Sequence, residues 1–375
     1  MPCPLSPTDE RFLQRAIDLG ERGWGAVHPN PMVGCVLVKN GRILAEGWHE
    51  EFGGPHAEAR ALEKAGEEAR GSTAYVSLEP CNHMGKTPPC AQALIEAGVS
   101  RVVYGAGDPG TESRGGGAAL AKGGLEVLGP CLTPQEARRE NPSFFWNQER
   151  SSVFVALKLA QTLDGKIAEA KGHRTSITGA EAQREAHRLR SGFDGILVGS
   201  NTVLVDNPRL TVRFGDGAGR QPWRVVLDTL GKTPPDANLF RDLPDAHLLI
   251  FTADDVPTAS LHRLEKAGAR VHQVPRTMEG VSIPAVLEAC WELGIRSLFC
   301  EGGGTLAAGL VRGEWAQRIY LFVAPFVLGD RGVPAFPGLV SREVWNAWKP
   351  LGSGGLFGRD VLLTFDRVEG CSQES

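Results

Sequence analysis

The sequence predicts an α/β protein of two domains. Three observations lead there. The chain has 375 residues, too many for one ordinary core. Its first part reads as a helix, a hairpin, and then alternating helices and strands, the pattern of an α/β sandwich around one mixed sheet. Its second part alternates short apolar strands with helices, the pattern of a mainly parallel sheet covered on both faces. The stretch from Asn141 to Ser152 reads as the junction, which places the domains at 1–149 and 150–375.

Composition narrows the field. Hydrophobic residues make up 42% and charged residues 22%, an ordinary globular balance. The net charge of −4 supplies no broad attraction for nucleic acid. No apolar run reaches ~18 residues, so no membrane span is expected. Met1 to Ser6 lack the basic start and apolar core of a secretory signal. The eight cysteines do not form a disulfide framework, and Cys35, Cys290 and Cys300 sit in apolar runs, where a thiol acts as a small hydrophobe. A reducing cytoplasm fits these features. A homo-oligomer is compatible with them.

The elements follow in order. Ser6-Pro7-Thr8-Asp9 is a helix start, and Phe12, Leu13, Ala16, Ile17 and Leu19 continue it with helical spacing. Val33 to Val38 and Ile43 to Trp48 are strands around an Asn40-Gly41 hairpin turn. His56-Ala57-Glu58 open a helix expected to reach Ala69. Thr73 to Leu78 is a strand, Cys90 starts a helix, and Val99 to Gly105 and Leu125 to Leu128 are further strands around a glycine-rich turn at Gly115 to Gly117. The aromatic cluster Phe144-Phe145-Trp146 either packs the domains together or caps the first core.

His56, Cys81 and Cys90 are three good ligands for zinc, and three protein ligands leave a fourth position open for water. Glu58, two residues after the histidine, is a carboxylate able to take that water's proton. Alone, His56 and Glu58 read equally well as a helix start with an acid in its first turn. His-x-Glu followed by Pro-Cys and a later Cys resembles the zinc nucleobase deaminases. Eight residues separate the two cysteines, and they include His83, Lys86 and Thr87. His83 could be a fourth ligand closing a structural site. A loop bearing His and Lys would instead suit a phosphorylated substrate.

Asn30-Pro31-x-Val33-Gly34, His56-Ala57-Glu58 and Pro80-Cys81-x-His83-x-Gly85-Lys86-Thr87-Pro88-Pro89-Cys90 together resemble the deaminase domain of the riboflavin-biosynthesis deaminase/reductase family. The resemblance implies a cytidine-deaminase-like α/β/α sandwich, zinc on His56, Cys81 and Cys90, and Glu58 as proton shuttle. It implies Asn30, His83 and Lys86 as contacts to the pyrimidine or its ribose phosphate. Asn82, Met84 and Gly110 depart from the family's usual residues.

In the second domain, Val153 to Leu159 is an apolar strand carrying one charge, Lys158, before a loop with a Gly165 turn. Helices are expected at Gly179 to Ser191, Ala259 to Ala267 and Ile283 to Leu293. Strands are expected at Ile196 to Gly199, Pro222 to Leu227, Leu248 to Phe251, Arg270 to Val274, Ser297 to Cys300, Phe322 to Leu328 and Val361 to Phe365. Gly370 to Ser375 read as a frayed tail. Glu301-Gly302-Gly303-Gly304 follows a strand and opens a helix, so its N–H groups could meet a phosphate or simply make a turn.

Leu157-Lys158, Thr162-Leu163-Asp164-Gly165-Lys166, Val198-Gly199, Thr202-Val203, Asp206-Asn207-Pro208-x-Leu210-Thr211, Val226-Leu227-Asp228 and Glu301-Gly302-Gly303 resemble the reductase half of the same family. That implies a dihydrofolate-reductase-like α/β domain using NADPH. Ala160, Ser176, Thr202, Asp206, Thr229 and the turn of Gly303, Gly304, Thr305, Leu306, Ala307, Ala308 and Gly309 would hold the cofactor. Arg174, Arg190, Leu210, Arg213 and Glu301 would hold substrate. Arg174 and Ser176 stand where the family often has Ser and Trp. Arg190 and Arg213 suit a ribose 5-phosphate, because a guanidinium can bind phosphate in bidentate fashion. Lys158 and Asp206 are candidates to orient substrate or supply a proton.

The expected activity is zinc-dependent deamination of a phosphoribosylamino diaminopyrimidinone, then NADPH-dependent reduction of its ribosyl chain. The substrate is then a small phosphorylated pyrimidine, with no nucleic-acid or membrane partner. Two rivals remain at this point: a nucleobase deaminase with an unrelated C-terminal partner domain, and a closed zinc scaffold completed by His83.

Overall fold

The structure, a computed structural model, describes residues 4–84, 88–213, 221–241, 247–339, 342–352 and 354–368, and all counts refer to these. The expectations for the 370–375 tail and for Lys86 lie outside them. The chain divides into two compact units, Met1–Ser151 and Ser152–Ser375.

The first unit begins with α1 (Pro7–Gly20). Ser6 caps it by accepting the Asp9 N–H, and Pro7 occupies the first turn. Strands β1 (Gly34–Lys39) and β2 (Arg42–Trp48) form the hairpin, with Asn40 and Gly41 at φ 52° and 74°. Then come α2 (Ala57–Ala65), β3 (Thr73–Leu78), α3 (Cys90–Glu96), β4 (Arg101–Ala106), α4 (Gly116–Lys122), β5 (Glu126–Leu128), α5 (Pro134–Glu140) and α6 (Pro142–Arg150). The sheet order is β2-β1-β3-β4-β5. β1 is antiparallel to β2 and β3, whereas β3, β4 and β5 are parallel.

Period-two alternation builds two cores from one sheet. Val36 and Val38 pack with Phe12, Leu13 and Ala16 of α1. Cys35 and Leu37 pack with Ala57 and Ala61 of α2, Leu94 of α3 and Leu120 of α4. The result is an α/β/α sandwich. Two local expectations need correction. The helix opened by His56 stops at Ala65, and Gly66–Ala69 is a 3₁₀ turn, because Gly66 takes φ 55°. The stretch read as a junction is mostly helix α6, with Pro142 in its first turn and Ser151 ending it at φ 49°. Phe145 packs with Leu78, Ala106 and Ala137, so the aromatic cluster caps the first core.

The second unit runs β6 (Phe154–Thr162), β7 (Lys166–Ala168), α7 (Ala180–Ser191), β8 (Gly195–Gly199), α8 (Ser200–Asp206), β9 (Trp223–Leu227), β10 (Leu248–Ala253), α9 (Thr258–Lys266), β11 (Arg270–Val274), β12 (Arg276–Thr277), β13 (Gly280–Val281), α10 (Ile283–Glu292), β14 (Ser297–Cys300), α11 (Gly304–Arg312), β15 (Arg318–Ala324), β16 (Val333–Pro334), α12 (Glu343–Asn346), β17 (Trp348–Pro350), β18 (Gly355–Phe357) and β19 (Asp360–Arg367). Its main sheet has the order β11-β10-β9-β8-β14-β6-β15-β19-β17, with β18 also on β19. The strands from β11 to β15 in that order are parallel; β19 and its partners are antiparallel. Leu197 of β8 belongs to a core with Cys290 and Leu310, while its neighbours Ile196 and Val198 join Val203 and Leu264. Both faces are therefore covered.

The strand expected at Phe322 to Leu328 lies instead at Arg318–Ala324. Arg318 disguised its start: it is buried inside the strand because Asp366 on β19 meets it with two bonds, at 2.6 and 2.9 Å. Pro325 ends the strand. Among the described residues no helix is long and apolar enough to cross a membrane.

A buried acid on α1 ties that helix to the first sheet. Asp9 is buried, accepting from the Tyr75 hydroxyl at 2.8 Å, from the Ser6 hydroxyl at 2.7 Å, and from Arg101 at 2.7 and 3.2 Å. The Arg101 bonds hold its carboxyl well below the usual range. A depressed pKa contributes stability above the unfolded carboxylate value of about 3.9, which is lost as pH falls towards the folded value. Asp9→Asn should destabilise the first unit by about 2–3 kcal/mol at neutral pH. Urea denaturation of both proteins between pH 7 and pH 3 should show the gap narrowing with acid.

Candidate active sites

The first site gathers at three element ends. His56 is the N-cap residue of α2, Cys81 follows β3, and Cys90 is the first residue of α3. Their ligand atoms lie within 4.8 Å of one another. His56 Nδ1 is 3.5 Å from Cys81 Sγ and 3.3 Å from Cys90 Sγ. Tetrahedral zinc with bonds of about 2.0–2.3 Å sets neighbouring N and S ligands about 3.5 Å apart. The three side chains therefore fit the ion. The Cys90 N–H donates to Cys81 Sγ at 3.4 Å, the kind of second contact that fixes a ligand's orientation. Hydrogen bonds from Cys90 and His56 lower the Cys81 thiol to about 4, while the same contact and burial push Cys90 up.

Glu58 is 3% exposed in the first turn of α2, and burial pushes its carboxyl up while His56 pulls it down. A cavity of about 220 Å³ opens beside it, lined by Asn30, His49, His56, Glu58, His83 and Asp108 among others. His83 is exposed and borders this cavity; among the described residues it is not part of the ligand group. Among the described residues the candidate ligand group has three members rather than a closed four.

His49 was not singled out from the sequence. It is buried, and its Nδ1 lies 3.1 Å from the Pro55 carbonyl. A carbonyl only accepts, so Nδ1 carries the proton and Nε2 accepts from the Asn30 amide at 3.2 Å. That bond turns the Asn30 carbonyl oxygen away from His49. Burial lowers the His49 pKa, which keeps the ring neutral. A lone histidine at the end of β2 gives no signal in sequence. Glu79, Asp108 and Ser113 also line the cavity and were equally silent.

The second site lies at the carboxyl ends of the parallel strands, beside the place where strand order reverses between β8, β14 and β6. Crevices there are the usual ligand sites of such sheets. Gly303 is the N-cap residue of α11, so the N–H groups of Gly304, Thr305 and Leu306 are free of intrahelical partners. Gly304 has no room for a side chain: a Cβ would lie 2.6 Å from the Pro334 carbonyl. A Cβ on Gly303 would lie 3.9 Å from Thr202 Oγ1, which puts the α8 threonine against the same turn. This geometry fits a bound phosphate or pyrophosphate. Ala307 and Ala308 are buried, and the Ala307 N–H is already given to the Gly303 carbonyl, so the cradle is shorter than the expected Gly303 to Gly309.

Arg190 behaves differently from expectation. Its fork is taken by Glu301, at 2.6 and 3.2 Å, and by the Thr211 carbonyl at 2.7 Å. It orients Glu301 rather than offering an open clamp. Burial pushes the Lys158 amine down, against the pull of Glu301, and its Nζ stands 5.5 Å from the centre of the Phe322 ring. Arg213 is exposed, and its pKa is lowered by burial and by the like charges of Arg190, Arg209 and Arg174. His187 beside it is pushed down to about 4 by burial and by the charges of Arg190 and Arg213. Arg174 and Ser176 are exposed; Leu210 is buried and holds φ 54°. Asp206 ends α8, and burial raises its carboxyl against the pull of Arg174. Ala160 lies on β6 and Thr229 just past β9.

Known proteins match along nearly the whole chain. Residues 6–106 match the cytidine and deoxycytidylate deaminase zinc-binding region, and residues 153–356 match the RibD C-terminal domain. Riboflavin biosynthesis protein RibD of Actinobacillus pleuropneumoniae is 37% identical, over 96% of this chain and 95% of its own length. That of Escherichia coli is 36% identical, over 88% and 92%. A Thermotoga maritima structure described as a diaminohydroxyphosphoribosylaminopyrimidine deaminase/5-amino-6-(5-phosphoribosylamino)uracil reductase aligns with a TM-score of 0.81 at 34% identity, covering 96% of this chain and 99% of that one. Acinetobacter baumannii RibD aligns at 0.82 and 30%, with the same coverage. The chain belongs to the RibD family of riboflavin biosynthesis proteins, and is a bifunctional enzyme that joins a zinc deaminase to an NADPH-dependent reductase.

Proposed function

We propose that the substrate is 2,5-diamino-6-(5-phosphoribosylamino)pyrimidin-4(3H)-one, and that residues 1–149 deaminate it before residues 150–375 reduce the ribosyl chain of the resulting uracil to ribityl. The observation that carries the reading is the convergence of His56, Cys81 and Cys90 around a cavity with a buried carboxylate. The Thermotoga maritima relative's described activity supports the substrate assignment.

In the first step, His56, Cys81 and Cys90 hold zinc, which when bound makes a water acidic enough to lose a proton near neutral pH. Glu58 takes that proton and returns it to the departing amine, so ammonia leaves as a neutral molecule. Burial suits the carboxyl to this exchange, since it raises proton affinity. Asn30 and the neutral His49 orient the pyrimidine ring. We assign His83, which borders the cavity, to the phosphoribosyl end, and the family resemblance alone adds Lys86 there.

In the second step, NADPH supplies hydride to C1 of the ring-opened ribose. Thr202, Asp206, Thr229, Ala160, Ser176 and the first turn of α11 hold the cofactor. Arg213, Arg174 and the Arg190–Glu301 pair hold the substrate. The like charges of Arg190, Arg209 and Arg174 around Arg213 support a phosphate there, because an anion would relieve crowded positive charge. Lys158 is the proton donor we favour, since burial weakens its hold on the proton. The reading places the protein in the cytoplasm, where thiols stay reduced.

Glu58→Gln should keep zinc yet lose deamination by at least about 100-fold. Metal analysis and ammonia release on one preparation check this; substantial residual deamination removes Glu58 from the proton path. Asp206→Ala should raise the NADPH requirement about tenfold or more, with ammonia release unchanged. Joint loss of both activities in a folded protein would break the division of labour between the units.

A further inference from the structure

The glycine-rich turn after β4 has so far only a topological role. Its loop, Asp108 to Gly117, supplies Asp108 and Ser113 to the deaminase cavity. One side chain holds it. Glu79 leaves the end of β3, two residues before Cys81, and turns its carboxylate into the loop. Oε1 accepts from the Gly115 N–H at 3.2 Å and the Gly117 N–H at 2.9 Å. Oε2 accepts from the Asp108 N–H at 3.2 Å. Three backbone donors around one carboxylate form an anion nest, here filled by the protein's own side chain.

The loop is fitted closely to this purpose. Gly115 takes φ 94°, which disfavours any other residue. A Cβ on Gly116 would lie 1.7 Å from the Pro80 carbonyl, and one on Gly117 would lie 2.9 Å from Tyr104 Oη. The loop backbone thus rests directly on the peptide that carries Cys81. A second tie runs from the Asn82 N–H to the Ser113 carbonyl at 2.9 Å, on the other side of the same ligand. Within the loop, Asp108 Oδ1 accepts from the Gly110 N–H at 2.8 Å. Any shift of Glu79 therefore moves Asp108 and Ser113 at the cavity wall.

We propose that Glu79 is a positioning residue for deamination: its carboxylate sets the Asp108–Ser113 wall against the pyrimidine without ligating the metal. This rests on the reading that the cavity beside Glu58 takes the substrate. Glutamine at this position keeps one oxygen for the two glycine N–H groups and turns a donor towards the Asp108 N–H. Two donors then face each other, and the Asp108 arm is released while the glycine arm stays.

The test is steady-state deamination by Glu79→Gln, with zinc content and NADPH oxidation measured on the same preparation. KM for the pyrimidine should rise about tenfold, with kcat changed far less, zinc retained and reductase activity intact. Gly116→Ala leaves Glu79 in place but forces the loop off Pro80, and should reproduce the KM rise. A wild-type KM in Glu79→Gln overturns the proposal. Loss of zinc, or an equal fall in both activities, also overturns it, because Glu79 would then serve only the fold. Glu58→Gln is the separating control: if that variant deaminates normally the cavity reading itself fails and takes this inference with it, whereas a dead Glu58→Gln beside an unaltered Glu79→Gln condemns the Glu79 role alone.

Discussion

Much of the first unit is organised by the need to bring one nitrogen and two sulfurs within 4.8 Å of one another. No single element could do this. His56 caps α2, Cys81 follows β3 and Cys90 starts α3, so the triad exists only when the sheet and both helices are in register. Placing ligands at helix starts also surrounds them with backbone donors, as the Cys90 N–H on Cys81 illustrates. Three thiol and imidazole groups this close must compete for protons. The opposite shifts of Cys81 and Cys90 express that competition, and a zinc ion held by His56, Cys81 and Cys90 would relieve it by taking both sulfurs as thiolates.

The second unit solves a different problem with a different edge. Its parallel strands end together, and the turn after β14 leaves N–H groups without helical partners. Around this edge stand Arg174, Arg190, Arg209 and Arg213, with Glu301 the buried acid tied to Arg190. Positive charge is thus left over where a phosphorylated sugar would sit. The overall charge of −4 makes this local excess more telling, since it does not come from a basic chain.

The metal triad was readable from residue types and their order, because few other uses combine His-x-Glu with Pro-Cys and a later Cys. The strands were readable where they were continuously apolar, as in β3 and β14. Reading failed where a charge was neutralised by a distant partner: Arg318 hid the start of β15 because Asp366 is 48 residues away. The partner of Arg190 was hidden in the same way, since its fork meets Glu301 across 111 residues. His49, Glu79 and Asp108 carried no signal, since their meaning depends on which loops the sheet order places together. The stretch Asn141 to Ser152 reads as a junction and the two units do divide within it, but its helical form was hidden: Pro142 starts a helix there and Phe145 anchors it.

The central claim is that one chain performs two ordered reactions, deamination and then reduction. Mass analysis of the diaminopyrimidinone phosphate incubated with the full-length protein tests it most directly. Without NADPH, the account predicts a single change, one amine replaced by oxygen. With NADPH, that product should further gain two hydrogens. A gain of two hydrogens with the amine retained, or amine loss with no further change when NADPH is added, would contradict it.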